Sequence, residues 1–102
     1  MSKDKADHFL SESQLELVAV RFRALGEPMR LRILQAVCRQ PRTVGEIVEA
    51  VGAGQANVSK HLALLAAAGI LSRQKKGQHV FYRMKDSLAL QLCKTVRKHL
   101  AA

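Results

Sequence analysis

Residues 43–84 constrain the fold more than any other stretch of the chain. Thr43-Val-Gly-Glu-Ile-Val-Glu-Ala50 places apolar residues at helical spacing, and Val51-Gly-Ala-Gly54 closes it. A second helical run begins at Gln55 with a polar leading edge, and Ile70 to Met84 then alternates around a reversal at Lys76-Gly77. The pattern is a short helix, a glycine-bearing turn, a second helix and a basic β-ribbon. Such a unit is shaped to lay its second helix in the major groove of DNA with the ribbon alongside.

The charge distribution points to the same partner. The 102 residues carry a formal net charge of +9. Residues 1–27 hold four Lys/Arg against five Asp/Glu, whereas residues 28–102 hold thirteen against only Glu46, Glu49 and Asp86. Basic residues concentrated in and beside a helix–turn–helix favour a polyanion over a merely solvated surface. A chain of this length supports one domain, and a domain this small often gains stability from a second copy. No run reaches the roughly 18 apolar residues of a membrane span, and the polar start Met1-Ser-Lys-Asp-Lys lacks the apolar core of a signal peptide. The expectation is a cytoplasmic protein with no membrane partner and no cofactor.

Along the chain, residues 1–10 read as a flexible N-terminal segment and residues 11–102 as one folded domain. Ser11 with Gln14 forms a capping box, and Leu15, Val18, Ala19, Phe22 and Leu25 then mark one face of a first helix. Leu17 and Val20 add a second apolar edge, so this helix needs more than one neighbour. Gly26 ends it, and Pro28 suits the first turn of the next helix, which runs to about Cys38 with Leu31, Ile33, Leu34 and Val37 inward and Arg30, Arg32 and Arg39 outward. Thr43 and Glu46 form another capping box, with Ile47, Val48 and Val51 as the core of the short helix. Gly69 supplies a left-handed cap for the helix from Gln55 to about Ala68. Strands are expected at 70–75 and 78–84. Asp86 caps a last helix with stripes Leu88, Leu92, Val96 and Leu90, Cys93, Leu100. The fold class is mainly α with a small β-hairpin: a winged helix-turn-helix in the order α-α-α-α-β-β-α.

Within the second helix of the motif, Val58, Leu62 and Leu65 share a core-facing side. The opposite side carries Ala56, Asn57, Lys60 and Ala63, with Gln55 and Ser59 at the leading edge. Gln and Asn contact adenine through two atoms, Ala meets a thymine methyl, and Lys or Ser reaches base or phosphate. Taken alone this is an ordinary amphipathic helix; with the preceding helix, the turn and the ribbon, it reads as a DNA-reading helix. His61 flanks that face as a packed or phosphate-bonding residue, with no second metal ligand near it in sequence. At the ribbon tip, Lys75, Lys76 and Gln78 suit phosphate or minor-groove contact. One Tyr, three Phe and no Trp leave little for stacking on single strands, so double-stranded DNA is the expected partner.

The chain resembles the ArsR/SmtB family of bacterial winged-helix repressors. The resemblance rests on Arg23-Ala-Leu-Gly-Glu-Pro-Met-Arg-Leu-Arg-Ile-Leu34, Val44-Gly-Glu-Ile47, Gln55-Ala-Asn-Val-Ser-Lys-His-Leu62, Ala68-Gly-Ile-Leu71 and Gly77 to Arg83, in order over roughly residues 15–100. It implies a homodimer through the first and last helices, consistent with the two-sided apolar pattern of residues 15–25. It also implies repression by operator binding and release by an inducer that the motifs do not identify. The departures are informative. The Cys-x-Cys of many arsenic and cadmium sensors is absent from Val44-Gly-Glu-Ile-Val-Glu49. Asp86 and His99 match two ligands of zinc-type relatives, but Leu88 and Ala102 fill the partner positions, so no closed zinc tetrahedron is expected. Persulfide-sensing relatives pair cysteines at positions that here hold Gln35 and Ala101; Cys38 falls one turn later and Cys93 about two turns earlier.

Cys38 and Cys93 therefore admit two readings. Each can be a small apolar core residue, or together they can be a thiol sensor activated by Arg39, Lys94 and Arg97. Enzymatic function is not expected: the chain offers no phosphate-binding glycine loop, no paired acids in a cleft and no nucleophile–base spacing. The alternatives to a regulator are a winged-helix protein-interaction module and a nonspecific architectural DNA binder.

Overall fold

The computed structural model describes residues 9–100. The segment expected over residues 1–10 therefore falls almost wholly outside the described residues, as do Ala101 and Ala102. The elements are α1 (Glu12–Leu25), α2 (Pro28–Val37), β1 (Arg42–Thr43), α3 (Val44–Val51), α4 (Gln55–Ala67), β2 (Leu71–Lys76), β3 (His79–Met84) and α5 (Leu88–Leu100).

Helix starts follow local chemistry. At α1, Ser11 Oγ accepts from the Gln14 backbone N–H at 3.2 Å, and Gln14 Oε1 accepts from the Ser11 N–H at 2.9 Å. Thr43 and Glu46 repeat the arrangement at α3, at 3.2 and 2.8 Å. Each reciprocal pair satisfies two backbone donors that a helix start would otherwise leave open. At α2 the Glu27 carboxylate accepts from the Met29 N–H at 3.0 Å, and Pro28 occupies the first turn. The α3–α4 turn depends on Gly52, which sits at φ 68 as the left-handed cap of α3. A side chain there would be strained by its own backbone.

The core gathers Ile33, Leu34 and Val37 of α2, Ile47 of α3 and Val58, Leu62 and Leu65 of α4, all essentially without solvent contact. Ile70, Leu71, Tyr82 and Ala89 close it from the sheet and α5. The expected inward face of α4 is thus the observed one, and on α2 Ile33, Leu34 and Val37 are buried whereas Leu31 is half-buried. α4 is tied to the wing at its end: Gly69, at φ 78, donates to the Ala66 carbonyl, and Ile70 N–H donates to Leu65 O, both at 3.0 Å.

Four details differ from the sequence reading. The hairpin is part of a three-stranded antiparallel sheet of order β1-β3-β2, because Arg42 pairs with Tyr82 and Thr43 with Phe81. β2 runs one residue later than expected and β3 starts one residue later: Lys76 pairs with His79, leaving Gly77-Gln78 as the two-residue loop. Gly77 takes φ 61, the positive value that the first position of such a loop favours. α2 stops at Val37, with Cys38 as its cap. Arg30, expected to point outward, is instead partly buried as a bracket. Its Nε donates to the Ala24 carbonyl at 2.6 Å and its Nη2 to the Arg23 carbonyl at 2.9 Å, satisfying acceptors at the end of α1.

The first and last helices remain apolar on their outer sides. Leu17, Phe22 and Val96 are about 60% exposed and Leu100 is 79% exposed. A groove between α1 and α5 is lined by Phe22, Leu25, Leu92, Val96 and Leu100.

Candidate nucleic-acid interface

α4 has two sides with opposite fates. Val58, Leu62 and Leu65 are sealed in the core, which fixes the rotation of the helix about its axis. Gln55, Ala56, Asn57, Ser59, Lys60 and Ala63 are consequently all exposed. No side chain caps the start of α4, where Gly54 is the N-cap. The open N–H groups at that end suit an anion such as a backbone phosphate.

His61 lies between the two sides and is half-buried. Its Nδ1 is 3.3 Å from Nη1 of Arg30. A guanidinium only donates, so Nδ1 accepts and the proton of the neutral ring sits on Nε2. The same Arg30 that holds the end of α1 thus also reaches α4.

The wing continues the basic surface. Lys75, Lys76, Gln78 and His79 are exposed around the tip. The register places Ser72 opposite Arg83, Gln74 opposite Phe81 and Lys76 opposite His79, so these six residues share one face of the hairpin. Leu71, Val80, Tyr82 and Met84 occupy the other face and meet the core. Two exposed cations of the wing were not picked out from sequence: Arg83 on the first face and Arg73, opposite Tyr82, on the other. The signal that could have found them is compositional: Gln55 to Met84 contains no Asp or Glu, while Lys60, Arg73, Lys75, Lys76 and Arg83 all fall within it. The neighbouring acid, Glu46, is committed to its cap. The Thr43 backbone N–H holds its carboxyl below the ordinary value of 4.5; desolvation opposes this, and the Thr43 hydroxyl, Arg42 and His79 add to it.

Of the other residues singled out from sequence, Cys38 is exposed and donates its S–H to the Gln35 carbonyl at 3.2 Å. Cys93 is half-buried on α5, and the two thiols line one cleft between α2 and α5. Asp86 Oδ1 accepts from the Leu88 N–H at 2.9 Å, and His99 Nδ1 donates to the Thr95 carbonyl at 3.0 Å. Both act on helix ends, and Leu88 next to the first offers no ligand, so these residues do not fit a tetrahedral zinc site. Among the described residues no three His, Cys, Asp or Glu side chains converge in a way that could hold a metal ion. No helix among them is long and apolar enough to cross a membrane.

Comparison with known proteins bears on this geometry. The family model for bacterial regulatory proteins of the arsR family matches residues 27–73, from the start of α2 into the wing. A relative in Streptomyces lividans, named "probable mercury resistance operon repressor", is 38% identical over 76 residues, covering 74% of this chain and 61% of its own length. The transcriptional repressor SmtB homolog of Synechocystis is 30% identical over 91 residues, covering 89% of this chain and 69% of its own. Among solved structures, the homodimeric winged helix-turn-helix DNA-binding domain of Mb0332 from Mycobacterium bovis superposes with a TM-score of 0.80 at 26% identity, covering 98% of this chain and 91% of that one.

Proposed function

The chain belongs to the ArsR family of bacterial regulatory proteins, and from that premise we propose that it is a homodimeric repressor that binds operator DNA and is released by an inducer. The observation that carries this reading is the rotational setting of α4. Its apolar side is locked in the core, and its amide, hydroxyl and lysine side chains are exposed within a stretch, Gln55 to Met84, that holds no Asp or Glu and includes the wing. Gln55 and Asn57 would read base edges, Ala56 would meet a thymine methyl, and Ser59, Lys60 and the free Nε2–H of His61 would hold phosphates. Lys75, Lys76 and Gln78 would hold the backbone beside the groove.

The dimer is supported by the exposed large apolar side chains on the outer sides of α1 and α5, among them Leu17, Phe22, Val96 and Leu100. It is also the state of the M. bovis domain. Two copies would present two α4 helices to half-sites about one helical turn apart. The test is selection of bound duplexes from a randomised library. Enrichment of a near-palindrome is expected. A pool that stays random would leave an architectural binder, and no retained DNA would leave a protein-interaction module.

A second reading concerns the signal. Cys38 and Cys93 face one cleft among Arg39, Lys94 and Arg97, and a thiophilic inducer needs only such thiols. A bridge there would couple α2 to the dimer-forming helix, and about 1–3 kcal/mol of coupling would suffice to release DNA. Operator affinity of the wild type, Cys38→Ser and Cys93→Ser is to be compared under reductant, oxidant, polysulfide, arsenite and zinc. Thiol-dependent release lost in either variant is expected. Identical responses would make both thiols inert.

A further inference from the structure

The α2–α5 cleft has a second property that its thiols do not explain. It encloses about 580 Å³, within the roughly 300–1,000 Å³ of small-molecule sites. Leu31, Leu34 and Leu90 make an apolar floor, and Arg39, Lys94 and Arg97 stand around it. Leu34 is 1% exposed, so the floor is the outer surface of the core itself. Among the described residues no carboxylate lines the cleft, and neither α2 nor α5 contains an Asp or Glu. Three cations over an apolar floor match a molecule with an apolar body and an anionic head. Neither a neutral hydrocarbon nor a bare inorganic ion would use both halves. From these features we propose that the cleft is a binding site for a small amphipathic organic anion, its carboxylate or sulfonate held by Arg39, Lys94 and Arg97 and its body laid on Leu31, Leu34 and Leu90.

Leu88, Leu92 and Val96 face one side of α5, and Leu90 and Lys94 lie on the opposite side at 3.6 residues per turn. A second copy seated on the α1–α5 groove would meet Leu31, Cys93 and Arg97, which line groove and cleft alike, while Leu34, Arg39, Leu90 and Lys94 line the cleft alone. The site does not depend on the DNA-binding reading, because occupancy is measured on the free protein.

Octanoate, 1-octanol and acetate are the probes, titrated into the isotopically labelled 102-residue chain and followed by methyl NMR. Octanoate is expected to shift the Leu31, Leu34 and Leu90 methyls saturably, 1-octanol to do so at least several-fold more weakly, and acetate not at all. Lys94→Gln with Arg97→Gln, both at exposed positions, should weaken octanoate roughly tenfold, as two partly screened ion contacts would. Unchanged circular dichroism would show that the double variant is folded. Octanoate should bind equally with and without reductant, which separates this site from thiol chemistry. Equal binding of octanoate and 1-octanol, shifts confined to the Leu25, Leu92 and Val96 methyls, or no saturable shift would each overturn the proposal.

Discussion

Replacing Leu62 by Ala tests whether α4 is oriented by its buried side. Leu62 has no solvent exposure and sits with Val58 and Leu65 against α2, α3 and the sheet. Truncation removes apolar surface worth about 2 kcal/mol in transfer and leaves a cavity that adds to it. Rigid elements surround the site on every side, so it cannot collapse easily. The expected cost therefore lies in the upper part of the 2–5 kcal/mol range, at about 3–5 kcal/mol. For a domain whose total stability is on the order of 5–15 kcal/mol, that is a large fraction. Leu64, two residues later on the same helix and 42% exposed, is the control; Leu64→Ala should cost about 1 kcal/mol or less. Urea denaturation followed by far-ultraviolet circular dichroism measures both, at one fixed protomer concentration because a dimer's stability varies with it. If Leu62→Ala stayed within about 1 kcal/mol of wild type, or if Leu64→Ala cost as much, α4 would be turned differently and the reading face would be misassigned.

The same surface makes further predictions. Asn57→Ala or Gln55→Ala should cost about 1–3 kcal/mol on the selected site and flatten discrimination, while Lys76→Ala should weaken all duplexes alike and reduce the salt slope by about 1; competition binding against random duplex separates the two classes. Arg30→Met should lower both stability and operator affinity, because one side chain serves the carbonyls of Ala24 and Arg23 and reaches His61; a variant with unchanged affinity would show that the bracket does not set α4. The lowered pKa of Glu46 has a defined sign. Its carboxylate contributes stability above the ordinary carboxylate range, and that contribution is lost as pH falls through the lowered folded value. The stability gap between wild type and Glu46→Gln should accordingly be present at neutral pH and close in acid, as measured by denaturation across pH.

Much of this architecture is legible in the chain because its determinants are local. Ser11 with Gln14 and Thr43 with Glu46 announce helix starts three residues apart, and the helical spacing of Val58, Leu62 and Leu65 identifies the buried side of α4. What escapes the reading depends on distant segments. Two residues have no periodicity, so Arg42-Thr43 becomes a strand only because Tyr82 and Phe81 arrive beside it. Arg30 looks like an outward residue on its own helix and turns into a bracket because the chain reversal at Gly26 brings the end of α1 over it. Ala89 is the buried residue of α5, although the larger leucines dominate the pattern, since only a small side chain lets that helix approach the core closely. The outer stripe of α5 is apolar and exposed, which is intelligible once a second copy is supplied.

The most direct test of a dimer reading DNA through two α4 helices is binding to the selected duplex and to the same duplex with five base pairs inserted between its half-sites. The insertion turns the half-sites to opposite faces of a helix that repeats about every 10–10.5 base pairs. Fluorescence anisotropy across a salt series should show tight binding to the parent site, with a log–log slope of roughly −5 to −9 for about 6–10 neutralised phosphates. The inserted site should bind no better than random duplex. Equal affinity for both spacings, with a flat response to salt, would contradict the dimeric operator-binding mechanism.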